Sequence, residues 1–164
     1  MFLKLLRIAA FGGAVLHCAG AAAGTLAGPY VGAVERVVDG DTIAVRVTVW
    51  LEQDLRVLVR VRGIDAPELR GRCTSEKERA ADAAAALGRL VAGGSVVLTE
   101  IEGDKFYGRV VADVVTQEGR DVGAALVRGG YARPYDGSVR QGWCELGTAD
   151  PVGEDELAQA DPAE

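Results

Sequence analysis

The chain has 164 residues, 18 Lys+Arg against 24 Asp+Glu for a formal net charge of −6, and one histidine, His17. That length predicts one domain with a real core once its ends are set aside, and the acidic balance works against long-range attraction to a polyanion. His17 falls in a segment expected to be removed, so the mature chain is left without Ser-His or Cys-His nucleophile pairs, histidine-based metal nuclease centres or a zinc-histidine site. Any acid-base work falls to carboxylates, lysine, arginine or tyrosine.

Lys4 and Arg7 precede an apolar, small-residue run over residues 8–19, and Ala21-Ala22-Ala23 offers an A-x-A cleavage site. This is the pattern of a secretory signal over residues 1–23, cut after Ala23. The run is shorter than the roughly 18 to 20 residues of a spanning helix, so the cleaved product is not expected to cross a membrane. Cys18 follows His17, a poor fit to a lipobox, and is expected to leave with the signal. Losing Lys4 and Arg7 leaves 16 cations against 24 anions, or −8. Seven of those acids lie in residues 145–164, which carry no base and read as a disordered tail. Residues 24–144 therefore hold 16 cations and 17 anions, a nearly neutral body able to bind phosphate through local arginines. Cys73 and Cys144 are an even pair in an oxidising compartment, periplasmic or extracellular, and predict a disulfide. It closes a loop of about 70 residues, worth on the order of 4 kcal/mol in the chain-entropy model.

Residues 24–30 read as a small-residue linker and 31–38 as a first strand. Asp39-Gly40-Asp41 is a tight turn, and residues 42–50 are a strongly β-branched second strand. After a turn over 51–54, the third strand runs over 55–63 with Arg56, Arg60 and Arg62 alternating with aliphatics, so one face is apolar and the other cationic. Gly63 permits a bend and Pro67 forbids helix at Ala66, which puts Asp65 and Glu68 on a rigid turn at the strand's end. A helix is predicted from Thr74 to Ala92, with a Ser75–Glu78 capping box and Gly93-Gly94 as its stop; its many alanines read as helix propensity. Strands over 95–101 and 108–116 flank a turn, and residues 122–128 form a short helix before Gly129-Gly130. The fold expected for residues 31–144 is mainly β with helices (α+β): a five-stranded OB-type barrel with a helix between strands 3 and 4.

Three stretches carry chemistry. Asp41 opens strand 2, and Asp65 follows strand 3. In a meander these points lie side by side, where oxygen-only ligands suit Ca²⁺ or Mg²⁺. The stretch Asp104-Lys105-Phe106-Tyr107-Gly108-Arg109 brings an arginine whose planar fork fits phosphate oxygens.

Val37-Val38-Asp39-Gly40-Asp41-Thr42, residues 60–68 and residues 104–109, in that order on a five-strand pattern, resemble the staphylococcal (micrococcal) nuclease, or thermonuclease, family over roughly residues 33–136. The resemblance implies a nuclease hydrolysing DNA or RNA with low sequence specificity and leaving 3′-phosphates. It implies that Asp41, Asp65 and the carbonyl of Ala66 hold Ca²⁺, that Glu68 activates the attacking water, and that Arg60 and Arg109 grip the phosphate. Tyr107 and Tyr135 would stack on bases. The sequence departs from the family pattern at Ala66, where threonine is common, in a longer loop between strands 2 and 3, and by one extra residue before Gly108; the family's third helix is not evident in the sequence after Gly137. Expected partners are DNA or RNA and no stable protein, with the chain a monomer. A non-catalytic OB-fold module that binds nucleic acid or serves the envelope is the alternative.

Overall fold

The computed structural model describes residues 24–144; the signal and tail expectations fall on residues 1–23 and 145–164, outside the described residues. Five strands close a barrel in the order β1-β2-β3-β6-β5: β1 (Tyr30–Asp39), β2 (Thr42–Trp50), β3 (Gln53–Val61), β5 (Ser95–Gly103) and β6 (Arg109–Thr116). The two-residue strands β4 (Ile64–Asp65) and β7 (Arg133–Pro134) pair outside it, and helices α1 (Thr74–Leu90) and α2 (Val122–Arg128) complete the fold. All pairings in the barrel are antiparallel except β3 with β6, which runs parallel. That single parallel contact, with α1 between the third and fourth barrel strands, is the OB-type arrangement expected from the order of elements.

The alternation that marks the strands fills the barrel. Ile43, Val45, Val59, Val96 and Leu98 are almost wholly buried inside it, and Leu87 and Leu126 close it from α1 and α2. The third strand starts and ends two residues earlier than its arginine pattern suggests, because Gly63, at φ +74°, belongs to the turn that β4 leaves. Residues 24–30, read as a linker, lie along β5: Leu26 and Ile101 exchange backbone hydrogen bonds of 2.9 and 2.8 Å, and Tyr30 already belongs to β1.

The expected capping box does not form. Thr74 is the first helical residue, so Ser75 sits inside the first turn, and Cys73 takes the cap position with no side-chain hydrogen bond to the helix backbone. The Glu76 carboxylate instead accepts from the Arg72 N–H at 2.9 Å, tying down the loop that leads into the helix. The alanines of α1 do more than favour helix. Ala80, Ala83 and Ala86 form its buried face, which lies against β1. A Cβ at Gly40 would come within 2.7 Å of the Ala83 Cβ and 2.9 Å of the Ala66 Cβ. Only glycine lets the β1–β2 turn tuck beneath the helix, and that turn carries Asp41.

Candidate active site

Register places the charged residues. Thr42 pairs with Arg60 across β2 and β3, and the Val61 N–H donates to the Asp41 carbonyl at 2.8 Å, so Asp41 and Arg60 are neighbours. Leu58 pairs with Arg109 and Arg60 with Val111 across the parallel β3–β6 contact, which sets Arg109 on the same barrel face one step from Arg60. Beyond β3, Gly63 turns the chain so that Asp65 enters β4, opposite Arg133 of β7.

An open cleft of about 800 Å³ results, lined by Arg60, Glu68, Arg109, Phe106, Tyr135 and Arg140 among others. Arg60 is buried, donates to the Ile64 carbonyl at 3.0 Å and pairs through Nη1 with Asp41 Oδ2, while its Nη2 lies 4.0 Å from Asp65 Oδ1. Arg109 pairs with Asp104 and stacks its guanidinium 4.6 Å from the Phe106 ring centre. Burial pushes the Asp104 carboxyl up, but the hydrogen bond and charge of Arg109 outweigh it and hold the group below its usual range.

Residues 58–145, more than half of the chain, match the family described as staphylococcal nuclease homologue. This chain belongs to that family. It is 36% identical over 110 residues to an uncharacterized endonuclease of Escherichia coli, and equally to one of E. coli O157:H7, an alignment covering 64% of this chain and 61% of each relative. It is 30% identical over 115 residues to Endonuclease YhcR of Bacillus subtilis (strain 168), covering 66% of this chain but 9% of that protein. The chain thus spans less than two thirds of the curated relatives it matches.

Within this staphylococcal nuclease homologue, Arg60, Glu68, Arg109 and Tyr135 line one cleft; Asp41, Asp65 and Ala66 lie buried beside it. The extra residue before Gly108 does not carry Arg109 away, because the bulge is taken up in the loop: the Asp104 N–H donates to the Arg109 carbonyl at 3.1 Å and the Arg109 N–H to the Phe106 carbonyl at 3.2 Å. Tyr107 stands fully exposed, and Phe106 takes the place on the cleft wall. The expected disulfide joins Cys73 and Cys144, with Cα atoms 6.0 Å apart.

Three contributors escape the sequence motifs. Arg133 donates to Asp65 Oδ2 from Nε at 3.2 Å and from Nη2 at 3.0 Å, and Trp143 Nε1 donates to the same oxygen at 3.0 Å. Arg140 reaches Asp65 Oδ1 with Nε at 3.1 Å and Glu68 Oε1 with Nη1. The signal that could have found them is the cysteine pairing itself, since joining residue 144 to residue 73 returns residues 133–144 to the turn that carries Asp65 and Glu68.

The donor set suits a hard cation. Asp65 is 2% exposed, yet its Oδ1 has no hydrogen-bond partner despite the two guanidinium groups near it, and such an orphaned buried oxygen is open to a ligand. Asp41 is the second carboxylate, and the Ala66 carbonyl would be the third oxygen. Cys73, Glu76 and Cys144 also bring ligand atoms within 4.8 Å of one another, but both sulfurs are spent in the disulfide.

Burial pushes the Asp41 carboxyl up to about 7 from 3.8; the Arg60 charge pulls it down, and Asp39 raises it again by repulsion and a hydrogen bond. A folded pKa above the unfolded one means the folded state holds the extra proton, so this stability is present in acid and lost as pH rises through about 7. In chelator, the urea midpoint is expected to fall between about pH 5 and pH 7 by the equivalent of roughly 2 kcal/mol. Asp41→Asn should flatten that dependence; a wild-type midpoint that stays level or climbs over the window rules out a proton held at Asp41.

Proposed function

We propose that this chain is a metal-dependent nuclease that hydrolyses phosphodiester bonds of DNA or RNA, with Ca²⁺ as its ion and 3′-phosphate as its product. The observation that carries the reading is one cleft walled by a carboxylate, Glu68, and two arginines, Arg60 and Arg109, beside two buried aspartates. Asp41, Asp65 and the Ala66 carbonyl would hold the ion, which supplies Lewis-acid polarisation of a phosphoryl oxygen. Glu68 takes the proton of the attacking water. Arg60 and Arg109 turn their guanidinium forks toward the phosphate oxygens, where charge gathers as the new bond forms. Phe106 and Tyr135 offer ring faces to bases, contacts that do not read base edges and so give little sequence preference.

The signal-like residues 1–23 and the disulfide support export to the periplasm or exterior; the chain is expected to be a monomer there, with residues 145–164 as an acidic appendage. Single-stranded and duplex DNA and RNA, incubated with the oxidised protein, are expected to be degraded in Ca²⁺ and spared in chelator, with 3′-phosphates by end-group analysis. Binding without cleavage under every divalent ion would make the chain a nucleic-acid-binding module instead.

A further inference from the structure

Arg140 belongs to none of the three motifs, yet it makes the contact that spans both kinds of carboxylate in the site. Its segment is anchored on each side. Tyr135 donates its N–H to the Gly63 carbonyl at 2.9 Å and its hydroxyl to the Ser138 carbonyl at 2.6 Å. Arg133 donates to the carbonyls of Gln141 and Gly142, Trp143 donates to Asp65, and Cys144 is joined to Cys73. Between these anchors Arg140 enters the cleft. Its Nη1 pairs with Glu68 Oε1 and its Nε lies 3.1 Å from Asp65 Oδ1. The Glu68 side chain is 51% exposed, on a turn where packing alone leaves it free to rotate.

We propose that Arg140 is a positioning residue that orients the Glu68 carboxylate, and that the Cys73–Cys144 disulfide holds Arg140 in place. A guanidinium can span two carboxylates with separate N–H groups at fixed angles, whereas an ammonium is a point charge on a flexible stem. Asp65, buried and fixed by Arg133 and Trp143, is the reference point; Arg140 transfers that fixed position to the exposed base. The catalytic consequence rests on the nuclease reading, while the placement of Arg140 does not.

The full chain is tested oxidised and reduced, as wild type, Arg140→Gln and Arg140→Lys, on single-stranded DNA in Ca²⁺. Arg140→Gln is expected to lower kcat roughly 10- to 100-fold with KM within about threefold, and lysine to recover only a small part. Reducing the wild type should cost a similar factor, and reducing Arg140→Gln less than about twofold more. Unchanged or faster turnover in Arg140→Gln, or a loss confined to KM, overturns the proposal. A second readout needs neither metal nor substrate: by NMR, the Arg140 Nη1–H that donates to Glu68 Oε1 should exchange with water about tenfold more slowly than in free arginine, and lose that protection on reduction. Free exchange in the oxidised protein overturns the placement. If the wild type cleaves nothing while the protection is present, the nuclease reading fails, taking the catalytic half of the proposal with it, and the placement stands.

Discussion

Glu68→Gln is expected to lower kcat for DNA cleavage by about 10² to 10⁴, the range for losing a positioned general base. Glutamine keeps the shape and one acceptor oxygen, so the contact with Arg140 can persist while the ability to take a proton from water is gone. Fold stability should hardly move, since the pair lies half exposed and such ion pairs are worth about 0 to 1 kcal/mol. Nucleic-acid affinity should stay the same, because Arg60, Arg109 and the ring faces are untouched. The discriminating comparison is kcat beside affinity and urea midpoint on the same preparation. More than a tenth of wild-type turnover would remove Glu68 from the role of base.

Asp65→Asn should damage both stability and activity. Its single negative charge, 2% exposed, sits against Arg133 and Arg140, with Arg60 4.0 Å away. Arginine does not shed its proton to relieve an unbalanced interior, so removing the anion leaves cations facing one another. Breaking such a pair from one side costs about 3 to 5 kcal/mol, and the loss should appear in a chelator-containing urea titration. Cleavage should vanish as well if Asp65 holds the proposed ion. A further sign is protease sensitivity within residues 135–143, whose links to Asp65 run through Arg133, Arg140 and Trp143. A variant with the wild-type midpoint and an intact C-terminal segment would refute Asp65 as the organiser of this cluster.

The two aspartates differ from Glu68 in how they could be read. Asp41 and Asp65 were visible because strands 2 and 3 have strong alternation, and a hairpin's register brings the start of one beside the end of the other. The bounds of β2 and of α2 match the sequence reading, since β-branched periodicity fixes the first and flanking glycines the second. Arg109 was legible as a phosphate-type arginine, but not the loop geometry that keeps it on the cleft, because one extra residue has no periodic signature. Tyr107 is a base platform by the family resemblance alone; here its side chain stands fully exposed, while its neighbour Phe106 lines the cleft. Arg133 and Arg140 were hidden for a different reason. Strand β7 is two residues long, too short for any alternation, and its partner Asp65 is 68 residues away in sequence. Local pattern cannot reveal such a contact; only the long-range covalent link between the cysteines hints at it. The capping box failed because its spacing rule holds only when the helix begins two residues later than it does here.

Closure of the barrel has a consequence for how the chain behaves among copies of itself. Strand β1 is hydrogen-bonded to β2 on one side and to β5 on the other, so among the described residues closure leaves short unpaired edges, such as β3 over Gln53–Val57, on which a second chain could extend the sheet. The remaining ribbon, β4 with β7, is two residues wide and offers too few backbone groups to act as a template. Among the described residues, most aliphatic side chains that would drive amyloid-like stacking in an open sheet face one another inside the barrel, while Val49, Trp50, Leu51 and Leu55, at the tip of the β2–β3 hairpin, stay exposed.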